Sequence, residues 1–406
     1  LTFTPPADSD VDLSGLQVSA TASEPATGTS EDTNGSFDVI VDAVADAPTV
    51  DAQNASGEEG QAIALDISGT ATDTDGSESI TGYRIESVDS GFSFNQGTNL
   101  GGGVWTFTPA EIVGLEVNAP ANYYGSIDLD VYAIASENAT DTEPDTADNT
   151  AESAVDTVTV TWGAVAKPPV LSINNGSGNP VVDEDGSVSV DIDVTHGANA
   201  SSTETLSVTV SGIDSSWGFS PAAGTYNAAA GTWTYTVAAG QDIDTALTFT
   251  PPADSDVDLS GLQVSATASE PATGTSEDTN GSFDVIVDAV ADAPTVDAQN
   301  ASGEEGTAIA LDISASLNDL DGSEAIDTII LSNLPTGATL SAGTYHAGTD
   351  TWSLSKTQLS GLEINVPGGT VGTFNLGVTA VAQEQNTSDI EPDTSDNTAS
   401  TSTTLT

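Results

Sequence analysis
Carboxylates are the only side chains in this sequence numerous and patterned enough to do chemistry. Thr72-Asp-Thr-Asp-Gly-Ser-Glu78 and Asn318-Asp-Leu-Asp-Gly-Ser-Glu324 share the form DxDGSE. The glycine allows a tight turn, and two aspartates on one side of an extended segment can converge on one ion. Hard oxygen donors without His or Cys suit Ca²⁺, which accepts about six to eight oxygens in a flexible geometry. The spacing is not that of an EF-hand, which needs a longer loop between helices. DxDG is also an ordinary turn sequence, because Asp and Gly are favoured in turns anyway. The motif alone leaves the turn and the calcium readings level.

Three further acidic clusters favour calcium. The first is Asp42 and Asp46, repeated as Asp288 and Asp292. The second is Glu58-Glu59-Gly60, which aligns with Glu184-Asp185-Gly186 and Glu304-Glu305-Gly306. The third is a late loop: Glu143-Pro-Asp-Thr-Ala-Asp-Asn149, Ser276-Glu-Asp-Thr-Asn-Gly281 and Glu391-Pro-Asp-Thr-Ser-Asp-Asn397.

The elements that must position these residues are strands. Gly103-Val-Trp-Thr-Phe-Thr108, Ser126-Ile-Asp-Leu-Asp-Val-Tyr132 and Gly231-Thr-Trp-Thr-Tyr-Thr-Val237 alternate apolar with polar. Thr and Val suit a half-buried pleated surface, and no segment shows helical periodicity. Turn residues separate the runs at short intervals, which predicts an all-β chain of tandem immunoglobulin-like, cadherin-like antiparallel β-sandwiches, each with about seven strands. Trp105, Trp233 and Trp352 fall on the same strand of successive units. An inward core position accounts for them better than sugar stacking does.

Residues 1–60 recur letter for letter at 247–306, so the chain is a tandem array that begins inside a repeat. Val44-Ala-Asp-Ala-Pro48, Ala164-Val-Ala-Lys-Pro-Pro169 and Val290-Ala-Asp-Ala-Pro294 mark the borders, because Pro cannot donate to a sheet ladder. Four pieces follow: 1–46, the C-terminal half of a repeat, then full repeats 47–166, 167–292 and 293–406. The half-repeat is expected to be completed by preceding sequence or by another copy of the chain. At about 40 Å per domain the array predicts an elongated rod.

Sandwich topology sorts the acids. If the first strand runs downward, Glu58 and Glu59 lie at the bottom of their domain. The DxDG loop, the late loop and the preceding linker lie at the top. Three borders can therefore be ranked as calcium sites. The fullest set is at 292/293: Glu184, Asp185, Asp288, Asp292, Asp319, Asp321 and Glu324. The next is at 46/47: Asp42, Asp46, Asp73, Asp75 and Glu78. The poorest is at 166/167, where Val194-Thr-His-Gly-Ala-Asn-Ala-Ser-Ser-Thr-Glu204 replaces DxDG and the linker carries Lys167. Neighbouring repeats are the expected partners across each border.

Composition excludes several functions. The chain has 62 acidic and 3 basic residues among 406, a net charge of −59, so nucleic acid and anionic membrane surfaces would repel it. No stretch is long and apolar enough to insert in a bilayer. There is no Cys, hence no disulfide and no thiolate metal site. His196 and His346 stand alone near turns, and no carboxylate pair stands out, so an enzyme is not expected.

E-x-G, then an alternating strand, then D-x-D-G, with an Asp-rich linker ending in Ala-Pro, resembles cadherin-like and bacterial immunoglobulin-like repeats. The fuller string of VADAPTV, DGSE, GLEV or GLEI and TATASEPATG resembles the extender repeats of giant type I-secreted bacterial adhesins, the RTX adhesin group. That resemblance implies a calcium-stiffened extracellular spacer on the bacterial surface, exported soft at low calcium and holding an adhesive tip away from the cell. The RTX nonapeptide itself is absent. Two alternatives stay open: a self-assembling surface-layer or filament subunit, and a carbohydrate- or protein-binding module.

Overall fold
The computed structural model describes residues 1–73, 76–137, 145–319, 322–385 and 392–406. The chain divides into two compact units, residues 1–165 with 270–275, and residues 166–269 with 276–406. Among the described residues, helix is limited to two single 3-10 turns, Asn174–Gly176 and Lys356–Leu359. No helix there is long and apolar enough to cross a membrane.

The first unit opens with an antiparallel hairpin, Leu13–Glu24 paired with Thr29–Val39. A sandwich follows. Its larger sheet runs in the order Ala55–Glu58, Asp156–Gly163, Gly125–Glu137, Glu78–Glu86, Val104–Phe107 and Thr98–Gly101, with Thr150–Glu152 added beside Gly125–Glu137. Two small sheets complete it: Ile63–Ala64, Glu116–Asn118 and Ser93–Phe94 in one, Thr49–Gln53 with Asp66–Thr70 in the other. The expected alternation is realised in Gly125–Glu137. Ile127, Leu129, Val131 and Ala133 point inward. They meet Ile63, Leu65 and Ile67 of the smaller sheets in one core. Each fully buried Leu or Ile of this kind contributes about 1.5–3 kcal/mol.

The second unit holds two sandwiches. In the first, a six-stranded sheet runs Val181–Asp183, Thr275–Asp288, Leu259–Glu270, Thr205–Ser211, Thr232–Thr236 and Thr225–Asn227. A second sheet orders Val170–Ile173, Val188–Thr195, Ile243–Thr250 and Gly218–Pro221. In the other sandwich, Thr344–His346, Thr351–Leu354, Glu324–Ser332, Leu376–Glu384 and Thr398–Leu405 form the main sheet.

The sheets are the expected antiparallel β-sandwich sheets, and two short parallel pairs stand among them. Ala55–Glu58 runs parallel to Asp156–Gly163, and Val181–Asp183 runs parallel to Thr275–Asp288. The chain switches sheets just after Thr49–Gln53, which pairs with Asp66–Thr70. Its continuation then lies beside the last strand and runs in the same direction.

The tryptophans divide. Trp233 is fully buried, and its Nε1 donates to the Ala223 carbonyl at 2.8 Å. Trp105 and Trp352 are half-buried against their cores. Gly224 packs on Trp233 with φ +84; a Cβ there would meet Thr234 O at 2.6 Å and Trp233 Nε1 at 2.7 Å. Only glycine fits both demands.

Candidate metal centres
Strand register brings the acids together. In the second unit Glu324–Ser332 pairs antiparallel with Leu376–Glu384, and Glu324 stands directly opposite Glu384. Like charges across a strand pair repel. Both residues are 5% exposed, and all four of their carboxylate oxygens are buried without a hydrogen-bond partner. Ionised carboxylates cannot stay so without a proton or a cation to answer them. Glu324 is pushed up to about 7, first by burial and then by the charges of Asp319 and Asp292. The Asp292 amide acts in the opposite direction without closing to a hydrogen bond. Glu384 is also pushed up to about 7, by burial and by Glu324, Asp319 and Asp256.

The acidic turn reaches the same place. Glu184 follows strand Val181–Asp183, and its amide donates to the Asp288 carbonyl at 3.0 Å. Its Oε1 accepts from the Val290 amide at 3.1 Å, while its Oε2 is buried without a partner. Burial, reinforced by Glu384, Asp319 and Asp185, pushes Glu184 up to about 8. The linker is zipped to the late loop: the Asp393 amide donates to Asp288 Oδ1 at 2.9 Å, and the Ala291 amide donates to the Asp396 carbonyl at 3.1 Å. Asp396 Oδ1 and Asn397 Oδ1 are further buried oxygens without partners. Asp319 is 4% exposed and accepts from Ser323 Oγ at 2.8 Å. Asp185 turns to the 254 loop, where its Oδ1 accepts from the Asp254 amide at 3.1 Å. Asp292 is exposed.

The first unit repeats the arrangement. Glu78 stands opposite Glu137. Both oxygens of Glu78, Oε2 of Glu137 and Oδ1 of Asp148 are buried without partners. Burial raises Glu78, with Asp73 and Asp46 adding repulsion, and burial raises Glu137, with Glu78, Asp73 and Asp10 adding theirs. Asp42 Oδ1 accepts from the Asp145 amide at 3.1 Å, so linker and late loop again meet. Asp8, Asp10, Asp42, Asp46, Asp73 and Glu137 line one cleft of about 290 Å³. Asp75 and Asp321, and the late-loop Glu143 and Glu391, lie outside the described residues.

Among the described residues, no three acidic or histidine side chains close on one point as a preformed metal centre. In the first unit the carboxylates instead line an open cleft. Their orphaned, buried, all-oxygen donor set fits a hard divalent cation and no soft one.

The top of repeat 167–292 is built differently. In the loop that replaces DxDG, His196 Nδ1 lies 2.9 Å from Asp242 Oδ1, and its Nε2 lies 3.2 Å from the Glu204 carbonyl. The Lys167 amide donates to Glu204 Oε2 at 2.8 Å. Glu204 is the counterpart of Glu78 and Glu324; the linker backbone anchors its Oε2, while its Oε1 is buried without a partner.

Sequence reasoning missed Glu137 and Glu384, and it missed Asp10 and Asp256. A glutamate does close the corresponding strand in each repeat, as Glu137, Glu270 and Glu384, and PADSDVD occurs at both 6–12 and 252–258. Those recurrences were the available signal.

No known family matches the sequence, and no curated protein matches it. Solved structures of similar character are tandem extracellular domains. Drosophila N-cadherin EC1-4 is 12% identical over 97% of this chain and 82% of that one, with a TM-score of 0.26. The D1-D4 ectodomain fragment of ICAM-5 is 10% identical over 88% and 76%, with a TM-score of 0.32. Cadherin-like domains 1 to 4 of zebrafish RET are 11% identical over 97% and 83%, with a TM-score of 0.22. Likenesses this loose carry no argument about function.

Proposed function
We propose that the chain is a calcium-stiffened spacer, the extender region of a bacterial surface adhesin that projects a distal adhesive domain for attachment or biofilm formation. The observation that carries this reading is the buried Glu324–Glu384 pair with four unpartnered oxygens, echoed at Glu78–Glu137. In the second unit Glu184, Asp288, Asp292, Asp319, Glu324 and Glu384 would hold calcium. In the first, Asp42, Asp46, Asp73, Glu78 and Glu137 would do so. Bound calcium supplies the positive charge that these oxygens lack. The residues hold linker, late loop and strand ends against one another, so filling the site ties one domain to the next.

The RTX assignment, the extracellular bacterial location and type I export rest on the sequence motifs. The spacer reading assigns no catalysis, no nucleic-acid partner and no membrane insertion to this chain; its partners are its own neighbouring repeats. The letter-for-letter copy favours a spacer over a ligand-binding module, whose loops would differ between repeats. Calorimetric titration with Ca²⁺ tests the proposal. Saturable binding that Glu324→Gln and Glu78→Gln each reduce is expected. A chain that takes up no calcium at millimolar concentration sinks it.

A further inference from the structure
We propose that the groove beside Trp105 is a binding site for a neutral hexopyranose, as a single sugar or the end of an oligosaccharide. The groove lies within the sandwich of repeat 47–166 and encloses about 480 Å³. Asp89, Ser90, Phe92, Asn99, Gly103 and Trp105 line it. None of them is a candidate calcium ligand, so the site stands or falls apart from the spacer reading.

A ligand-binding repeat differs from its neighbours at a loop, and this repeat does so here. All three repeats carry the same edge hairpin, and the cross-strand register compares them residue by residue. Trp233 stands opposite Tyr226, and Trp352 stands opposite Tyr345. Tyr226 packs on Phe219 with ring centroids 4.6 Å apart, and Tyr345 on Trp352 at 5.7 Å. Trp105 stands opposite Asn99 instead. The connection is one residue shorter and runs through Gly101-Gly102-Gly103. All three glycines have positive φ, and a Cβ on Gly103 would meet the Val88 carbonyl oxygen at 2.9 Å. The small Asn99 leaves room beside the indole that a tyrosine ring takes up in the other repeats.

What surrounds that room suits a sugar. Phe94 and Phe107 hold the Trp105 ring at 5.2 and 6.5 Å, and it stays half-buried. A fixed, half-open indole offers a flat apolar face on which the C–H face of a pyranose can stack. Polar groups stand at its edge. Asn99 Oδ1 accepts from the Gly101 amide at 2.7 Å, which holds the side chain and leaves Nδ2 to donate to a sugar oxygen. Asp89 is exposed, and its carboxylate can accept hydrogens from sugar hydroxyls. The Phe92 amide donates to the Asp89 carbonyl at 3.2 Å, so a closed turn presents that carboxylate. An aromatic floor with a few placed polar groups is how small-molecule sites fix orientation. A uronic or sialic acid would meet Asp89 and the net charge of −59, so the ligand is a neutral sugar.

The test follows the Trp105 indole N–H resonance of the full chain, assigned with Trp105→Phe. Glucose, galactose, mannose and N-acetylglucosamine are titrated in Ca²⁺ and in EDTA. At least one should shift it saturably, with half-saturation at about 1–10 mM in both conditions. Asn99→Tyr puts the residue of the other two repeats into the groove and should weaken binding about tenfold or more. Asp89→Ala, at an exposed position, should weaken it about fivefold or more through the lost acceptor. Thermal midpoints within about 2 °C of the parent chain would show that both variants fold. No saturable shift with any of these sugars at about 100 mM would overturn the proposal. So would unchanged affinity in both variants, or glucuronate binding as tightly as glucose.

Discussion

Glu324 and Glu384 meet across a strand pair in a buried place, and a single-atom change probes their role. Glu324→Gln keeps the shape and removes one of two opposed charges. In EDTA it should stabilise the second unit by up to about 1 kcal/mol. In calcium it should weaken ion affinity about tenfold or more. Thermal unfolding with and without calcium reads both signs, and a variant that destabilises in EDTA would contradict the account. The pH dependence follows from the same residues. Glu324, Glu384 and Glu184 ordinarily ionise near 4.5 and are raised in the fold to about 7, 7 and 8. A carboxyl raised by folding binds its proton more tightly in the native state, so stability is lost as pH rises from about 4.5 to about 8. Without metal, the unfolding midpoint of the second unit should fall across that window. Saturating calcium should remove most of the fall, because the cation takes the place of the protons. A midpoint that rises with pH in EDTA would rule out this electrostatic picture.

At the scale of elements, the strands were legible and their pairing was only partly so. Gly125–Glu137 alternates because one face meets the core, and that alternation is written in Ile127, Leu129 and Val131. The parallel pairing of Ala55–Glu58 was not legible, because alternation is the same whichever way the neighbour runs. Linker, DxDG loop and late loop could be sorted to one end from strand direction alone. The Glu324–Glu384 pair could not, since a lone glutamate ending an apolar strand reads as a solvated terminus until the register is known. The alternating pattern puts the tryptophan position in the core, and of Trp105, Trp233 and Trp352 only Trp233 is fully buried. Trp233→Ala should cost about 3–5 kcal/mol in denaturant unfolding, and Trp352→Ala, from a half-buried site, about half as much. Equal losses at the two positions would mean that burial does not set their worth.

At the scale of the whole molecule, the net charge of −59 sets the response to ions. Fixed like charges repel over a Debye length of about 8–10 Å at physiological salt, and divalent ions bound at specific oxygens relieve what diffuse salt only screens. Small-angle scattering should therefore show a change in maximum dimension and flexibility when EDTA replaces millimolar Ca²⁺. Equivalent ionic strength of NaCl should not reproduce the calcium profile. Identical profiles in all three conditions would make the carboxylates a solvated surface. The most direct test of the central claim is calcium anomalous scattering from crystals grown with the ion. The account predicts peaks about 2.3–2.6 Å from oxygens of Glu324 and Glu384, and again at Glu78 and Glu137. A map with no peak at either pair, or with calcium only beside Lys167 and Glu204, would contradict it.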